Sequence, residues 1–263
     1  MRKRKLWPVI RRIWITVGLG ATAIFGVWSL IAYRASSTAR QAALSDPAVA
    51  VTHAEGVWQF EPQVPASTRT LVFFPGALVD PRAYAPLARA VAEAGYPTIL
   101  IELPRRGAFG GADSPELYAR IKRVLSSPGA PAAVILGGHS RGGVVASAAA
   151  AAGVPGLAGL VLIGTSHPRD VDLSGLDVPV TKIVGTRDGL ASPAEVRQNE
   201  ALLPLHTRWI WVQGGNHSQF GWYGFQPMDR RATLPAAEQR AIMIRGIVDI
   251  LAEPGDRLEQ HTR

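Results

Sequence analysis

The chain contains no cysteine, so neither a disulfide framework nor a thiolate metal site is open to it, and its stability has to come from packing. Its six histidines show no H-E-x-x-H or comparable ligand spacing, which argues against a metal hydrolase. There is also no G-x-G-x-x-G or G-x-x-x-x-G-K-[ST] run, hence no visible phosphate cradle for nucleotide chemistry. Neither a metal hydrolase nor nucleotide-dependent chemistry is therefore expected. Acidic residues are missing from the first 40 positions. The whole chain carries +8, and its eight cations up to Arg40 meet no acid, which leaves residues 41–263 neutral. A nucleic-acid-binding domain keeps its basic excess in the folded part, so no nucleic-acid partner is expected. Internal repeats and low-complexity blocks are absent too.

The one long apolar run lies at the amino terminus. Residues 13–33 carry no charged side chain, and a helix of that length spans roughly 31 Å, the hydrocarbon thickness of a bilayer. Arg2, Lys3, Arg4, Lys5, Arg11 and Arg12 precede it, against Arg34 and Arg40 after it. That asymmetry predicts a cytoplasmic amino terminus and a bulk domain across the membrane. Trp7, Trp14, Trp28 and Tyr33 bracket the run as interfacial aromatics do. The rival is a cleaved signal peptide, but the run is longer than a signal core and no small-x-small site follows it. The expected organisation is a basic cytoplasmic tail over 1–12, a transmembrane signal anchor over 13–33 and a linker or stalk over 34–50. A folded domain over 51–252 and a polar tail over 253–263 complete it. Oligomeric state is not legible.

Gly138-His139-Ser140-Arg141-Gly142 stands between an apolar strand pattern, Ala132 to Leu136, and a helical run of small residues, Val144 to Ala152. A turn from strand to helix in so few residues crowds the backbone around the serine, and flanking glycines relieve that crowding. Ser140 is therefore the candidate nucleophile, with a serine-capped helix start as the plain alternative. Val180 to Gly185 reads as a strand whose exit turn holds Asp188. Arg208 to Val212 reads as the next, followed directly by Gly214-Gly215-Asn216-His217. Nucleophile, acid and base then follow in the order this architecture requires, with Asp188 fixing the tautomer of His217 and His217 moving the seryl proton. Asp170, Asp172 and Asp177 are alternative acids one strand earlier, and His167 is read as a residue of the site's rim. His53, His206 and His261 fall outside the pattern.

Leu71 to Phe74 reads as a strand ending in a glycine turn, Pro75-Gly76-Ala77, ahead of a helix over Ala83 to Glu93. The backbone N–H groups of Ala77 and Arg141 are the candidate oxyanion donors. Leu78, His139, Trp222, Tyr223 and Gln226 are candidate pocket residues, with space-filling as the alternative for Trp222 and Tyr223. Strand-like and helix-like segments alternate through Thr98–Leu103, Glu116–Leu125 and the nucleophile unit to a closing helix at Pro235–Leu251. Such alternation predicts a mostly parallel sheet with helices on both faces and a site at the strands' carboxyl ends.

Four motifs together, Phe73-Phe74-Pro75-Gly76-Ala77, Gly137 to Gly143, Gly185 to Gly189 and Gly214 to Gly224, resemble a bacterial, serine esterase-like branch of the α/β-hydrolase superfamily over about residues 50 to 252. The resemblance implies an α/β-hydrolase fold and a cofactor-free serine hydrolase acting on a small-molecule carboxylic ester through an acyl-enzyme, with Ser140, Asp188 and His217 as its triad. Two departures stand out. Pro75 replaces the usual histidine before the oxyanion-turn glycine, and the connection from Gly164 to Pro179 is too short for a cap domain. Acyl transfer or amide cleavage by the same triad, and a non-catalytic binding protein on this scaffold, are the other readings left open.

Overall fold

Leu71-Val72-Phe73-Phe74 and Val134-Ile135-Leu136 have no polar face, so as strands they need apolar cover on both sides. The computed structural model describes residues 6–253 and supplies that cover. Its strands are β1 (Val49–Ala54), β2 (Val57–Pro62), β3 (Arg69–Phe74), β4 (Thr98–Ile101), β5 (Ala133–His139), β6 (Leu157–Ile163), β7 (Val180–Gly185) and β8 (Arg208–Val212). The helices are α1 (Leu6–Ala32), α2 (Ser37–Ala42), α3 (Ala85–Glu93), α4 (Pro115–Ser126), α5 (Arg141–Ala151), α6 (Pro193–Gln198) and α7 (Ala236–Ala252).

The strands form one sheet in the order β1-β2-β4-β3-β5-β6-β7-β8. β2 pairs antiparallel with both β1 and β4, and all pairings from β4 to β8 are parallel. Alternation along each strand divides the core into two layers. Leu71, Phe73, Ile135 and Ile183 join Leu87 and Val91 of α3 and Met243 and Ile247 of α7. Val72, Phe74, Leu136 and Leu162 join Leu117 and Ile121 of α4 and Val145 of α5. Strand order reverses between β3 and β5, and in doubly wound sheets the site lies beyond the carboxyl ends of the strands at such a reversal. The connection from β6 to β7 contains neither helix nor strand, so it builds no cap.

The amino-terminal helix is bare. α1 carries a candidate span over Leu6–Trp28 with mean hydropathy 1.3 and none of it buried in the protein. It starts earlier than the uncharged run over 13–33 and takes in Arg11 and Arg12. Arg2, Lys3, Arg4 and Lys5 of the basic tail, and residues 254–263 of the polar tail, lie outside the described residues.

The stretch over 34–50, expected as a linker or stalk, lies against the domain. Tyr33, Ala35 and Ala39 are buried with α3 and the β-sheet residues of one layer, and Ala43 and Val49 pack with Phe60 and Ala88. The Arg89 guanidinium donates to the carbonyls of Ala42 and Leu44 and to Asp46, which fastens the segment from the other side. Small residues at 35, 39 and 43 let the short helix α2 approach α3 closely, a pattern of helical spacing that the loop-like composition of 34–50 conceals.

Candidate active site

β5 ends at His139 and α5 begins at Arg141, so Ser140 alone makes the turn between them. Its φ of 55° and ψ of −119° are a strained conformation for a residue with a side chain. The turn is held by its own hydrogen bonds: Ser140 N–H donates to the Ile163 carbonyl at 2.9 Å, and Gly143 N–H donates to the Ser140 carbonyl at 3.0 Å. A Cβ on Gly138 would sit 2.2 Å from the Gly142 backbone, and one on Gly142 would sit 1.9 Å from the Phe74 carbonyl oxygen. Both glycines of the pentapeptide are therefore required by backbone contact.

Asp188 leaves β7 and His217 follows β8, and the structure brings them together. His217 Nδ1 lies 2.9 Å from Asp188 Oδ2, with both side chains buried. The other carboxylate oxygen of Asp188 accepts the N–H groups of Leu190 at 2.8 Å and Ala191 at 2.7 Å. The carboxylate is thus fixed by the turn that carries it, and it in turn fixes the imidazole. His217 Nε2 is buried and bonded to nothing among the described residues. The ring lies against His139, the residue before Ser140, with centroids 4.5 Å apart. Histidine–nucleophile bonds of this kind commonly tighten only when substrate arrives. Asp170, Asp172 and Asp177, the alternative acids, are exposed on the β6–β7 connection, and Asp172 binds only the N–H of Ser174 at 2.9 Å.

A second carboxylate, that of Asp229, organises the histidine's surroundings. Asp229 Oδ1 accepts from Gly189 N–H at 3.1 Å, beside the acid, and from His217 N–H at 3.3 Å. Its Oδ2 accepts from Ser218 N–H at 2.8 Å and Ser218 Oγ at 2.6 Å. One buried side chain therefore pins the acid turn to the histidine loop. The only sequence signal was an acid 12 residues after the histidine in a loop rich in glycine.

The turn after β3 leaves one donor free. Gly76 N–H donates to the Tyr84 hydroxyl at 3.1 Å, and Leu78 N–H donates to the Arg106 carbonyl at 2.7 Å. The N–H of Ala77 between them, like that of Arg141 at the start of α5, has no acceptor among the described residues. The Tyr84 hydroxyl also lies 2.7 Å from His139 Nδ1. Burial pushes the His139 pKa well below the usual imidazole value, with the neighbouring His217 adding to the shift. In a neutral His139, Nδ1 accepts a hydrogen bond from the Tyr84 hydroxyl while the phenol oxygen accepts one from Gly76 N–H.

Of the five candidate pocket residues, only Leu78 is exposed beside this crevice, at 45%. His139 is fully buried beneath the elbow rather than lining a wall, because its Nδ1 faces Tyr84. Trp222 turns to α7, where the Arg240 guanidinium lies 4.5 Å from its ring centroid. Tyr223 stacks on Tyr33 with centroids 6.4 Å apart and donates to Gln226 Oε1 at 3.1 Å. Tyr223 and Gln226 thus both meet Tyr33 at the end of α1, and Tyr223 also packs on Tyr84, with centroids 6.5 Å apart. The backbone agrees: Gly224 N–H donates to the Ala32 carbonyl at 2.7 Å, Ser36 N–H to the Trp222 carbonyl at 2.8 Å, and Asp80 N–H to the Tyr33 carbonyl at 2.9 Å.

Comparison with known proteins agrees with this fold. The model of the Alpha/beta hydrolase family matches residues 70–241. No curated protein matches the chain closely enough to count as a relative. Among solved structures, a dienelactone hydrolase from Anabaena variabilis superposes with a TM-score of 0.58 at 18% identity, covering 76% of this chain and 96% of its own. An alpha-beta serine hydrolase homologue from Coxiella burnetii gives 0.54 at 16% identity, with 78% and 99% covered. A serine hydrolase without lid from Xanthomonas campestris gives 0.52 at 18% identity, with 80% and 99% covered. At such identities these likenesses speak for the fold, while the family match spans most of the sheet and both candidate catalytic loops. The chain belongs to the Alpha/beta hydrolase family.

Proposed function

We propose that the protein is a membrane-anchored serine hydrolase that cleaves carboxylic esters through an acyl-enzyme. One observation carries the reading: His217 has one ring nitrogen tied to a buried carboxylate and the other buried and unsatisfied on the side of the elbow. An unpaired polar atom in the interior is costly, and a seryl proton is what would satisfy it. Ser140 Oγ attacks the ester carbonyl and passes its proton to His217 Nε2. The N–H groups of Ala77 and Arg141 receive the negative oxygen. The imidazolium, steadied by Asp188, then protonates the departing alkoxide, leaving an acyl group on Ser140. Water repeats the sequence and frees the acid.

The bare α1 supports the anchor. Trp7 and Trp14 are 72% and 73% exposed, and apolar side chains surround the helix between them and Ile31. Burying such a surface in a bilayer removes that cost. With the basic residues ahead of it, the helix would place the catalytic domain on the extracytoplasmic side.

The test is covalent capture by a fluorophosphonate probe. The full chain in detergent should label, and Ser140→Ala should lose labelling while its melting curve is unchanged. Persistent labelling of that variant would remove Ser140 as nucleophile. A wild-type chain that melts cooperatively, takes no probe and hydrolyses no short-chain aryl ester would turn the reading toward a binding protein.

A further inference from the structure

A cavity of about 360 Å³ lies where α1 meets the domain, lined by Arg34, Arg40, Asp80, Arg82 and Arg106. The charges in it do not cancel. Asp80 is spent on Arg82, whose Nε and Nη2 reach its two oxygens at 3.1 and 2.7 Å. Arg34, Arg40 and Arg106 have no carboxylate within ion-pair distance among the described residues. Arg40 donates only to the carbonyl of Ala35. Four guanidiniums sharing one carboxylate leave the concavity with a net positive charge and make it a receptor for a phosphate or a carboxylate, whose oxygens match their forked donors.

The cavity's position identifies the source of that anion. Arg34 is two residues beyond the end of α1, and Asp80 N–H is bonded to the Tyr33 carbonyl, so the cavity sits at the depth where the anchor would leave the bilayer. Guanidiniums held at that depth face the headgroup region, where the anions within reach are the phosphates and carboxylates of lipid headgroups.

The same walls also reach the oxyanion turn. Asp80 is three residues from Ala77, so their Cα atoms are at most about 11 Å apart, and the Arg106 carbonyl holds the N–H of Leu78. Arg105 and Arg106 adopt φ of 51° and 52°, a left-handed conformation that is unfavourable for residues with side chains. Beside the cations stand two exposed apolar side chains, Leu78 at 45% and Phe109 at 93%. Cationic and apolar side chains thus stand on the turn at 77–80 and on the 105–109 loop that is bonded to it, a pattern an amphiphile would match.

We propose that this arginine cavity holds the anionic headgroup of a bilayer lipid ester and presents that lipid's acyl carbonyl to Ser140. The proposal rests on reading Ser140 as the nucleophile and α1 as a membrane anchor. It gives the hydrolase a substrate class: esters of anionic amphiphiles, taken from the leaflet in which the anchor ends.

The experiment uses the full chain in nanodiscs of an ether-linked zwitterionic lipid, which has no ester to cleave. Dioleoylphosphatidylglycerol or dioleoylglycerol is added at equal mole fraction, and fatty-acid release is followed. The charged ester should turn over about 10-fold faster or more, the effect of one charge-assisted contact. In the double variant Arg34→Gln, Arg40→Gln the ratio should fall to within about 3-fold. A wild-type ratio near one, or a ratio that survives in the double variant, overturns the proposal. A second arm compares monobutyrylglycerol phosphate with monobutyrin in solution. If this soluble pair shows the full preference, the cavity takes free phosphate esters and the membrane source is wrong. A chain that hydrolyses neither lipid and takes no fluorophosphonate fails as a hydrolase, which a ratio near one in an active, labelled chain does not imply.

Discussion

The elbow and the histidine loop are both needed at the proposed site, but they are built from different materials. Ser140 is held chiefly by backbone sterics: neighbouring main-chain atoms lie where any side chain at 138 or 142 would have to go. His217 is held by carboxylates, Asp188 through its ring and Asp229 through its backbone and Ser218. Steric exclusion is all-or-none. Hydrogen bonds can be removed one at a time, each for a partial loss. The comparison teaches that one half of the site is a fixed shape and the other is an adjustable one.

The sharpest way to break it is Gly142→Ala. A methyl group 1.9 Å from the Phe74 oxygen cannot be absorbed by a side-chain rotation, since the obstacle is main chain of β3. We expect a loss of roughly 3 kcal/mol or more, with probe labelling at background. Chemical denaturation and labelling on the same preparation check it. An alanine variant that unfolds like the wild type would mean the elbow is softer than its geometry. Asp229→Asn should give the intermediate result. The amide keeps one acceptor, while its NH₂ cannot receive the N–H and hydroxyl of Ser218. The fold should survive with about 1–3 kcal/mol less stability, and turnover of a short-chain aryl ester should fall about 10–100-fold as His217 loses its placement. If this variant is as unstable as Gly142→Ala, the two halves do not differ as argued.

The same division explains what could be read from residues alone. The elbow, the strands at 180–185 and 208–212 and the parallel sheet follow from local pattern, because steric demands and two-sided burial leave a mark on adjacent residues. Asp188 was legible for the same reason, as the acid in the turn after an apolar strand. The role of Asp229 was not, since nothing nearby in sequence marks an acid whose partners lie 11 and 40 residues away. The hairpin of β1 and β2 also escaped notice. Its strands sit at the sheet edge with mixed burial, and part of its packing is a stack of His53 on Trp58 at 4.0 Å between centroids. The docking of residues 32–36 onto the loop at 222–224 is made of backbone hydrogen bonds, which any residues except proline can form. Tyr223 and Gln226 therefore looked like pocket residues when their contacts run toward α1.

Tyr84 joins the two halves and sharpens the comparison at its boundary. Its hydroxyl serves Gly76 N–H at the oxyanion turn and His139 Nδ1 under the elbow. Tyr84→Phe keeps the ring and strands both partners in the interior, at a cost of about 1–3 kcal/mol. Because Gly76 adjoins Ala77, turnover should drop as well, and the drop should appear in kcat more than in KM. A drop confined to KM would place the effect on substrate binding and not on the donor turn.

The smallest expected effect concerns pH. Lys182 on β7, the strand that carries the acid, is fully buried and donates to the His167 carbonyl. Burial lowers its pKa from 10.5 to about 7. Between those values the unfolded chain holds a proton at this position that the folded chain lacks, so this group makes stability rise as pH rises, by up to about 1.4 kcal/mol per pH unit. Below about pH 7 both states are protonated and the dependence ends. Lys182→Met has nothing to titrate, and its denaturation midpoint should be flatter than that of the wild type from pH 7 to 10. Elbow packing is steric, and burial keeps His139 neutral through the same window, so lowering the pH from 10 to 7 should weaken the packing around β7 while leaving the serine's turn as it was. Parallel slopes for the two proteins would mean that the buried amine finds compensation elsewhere, and that the polar half of the site is less adjustable than its hydrogen bonds imply.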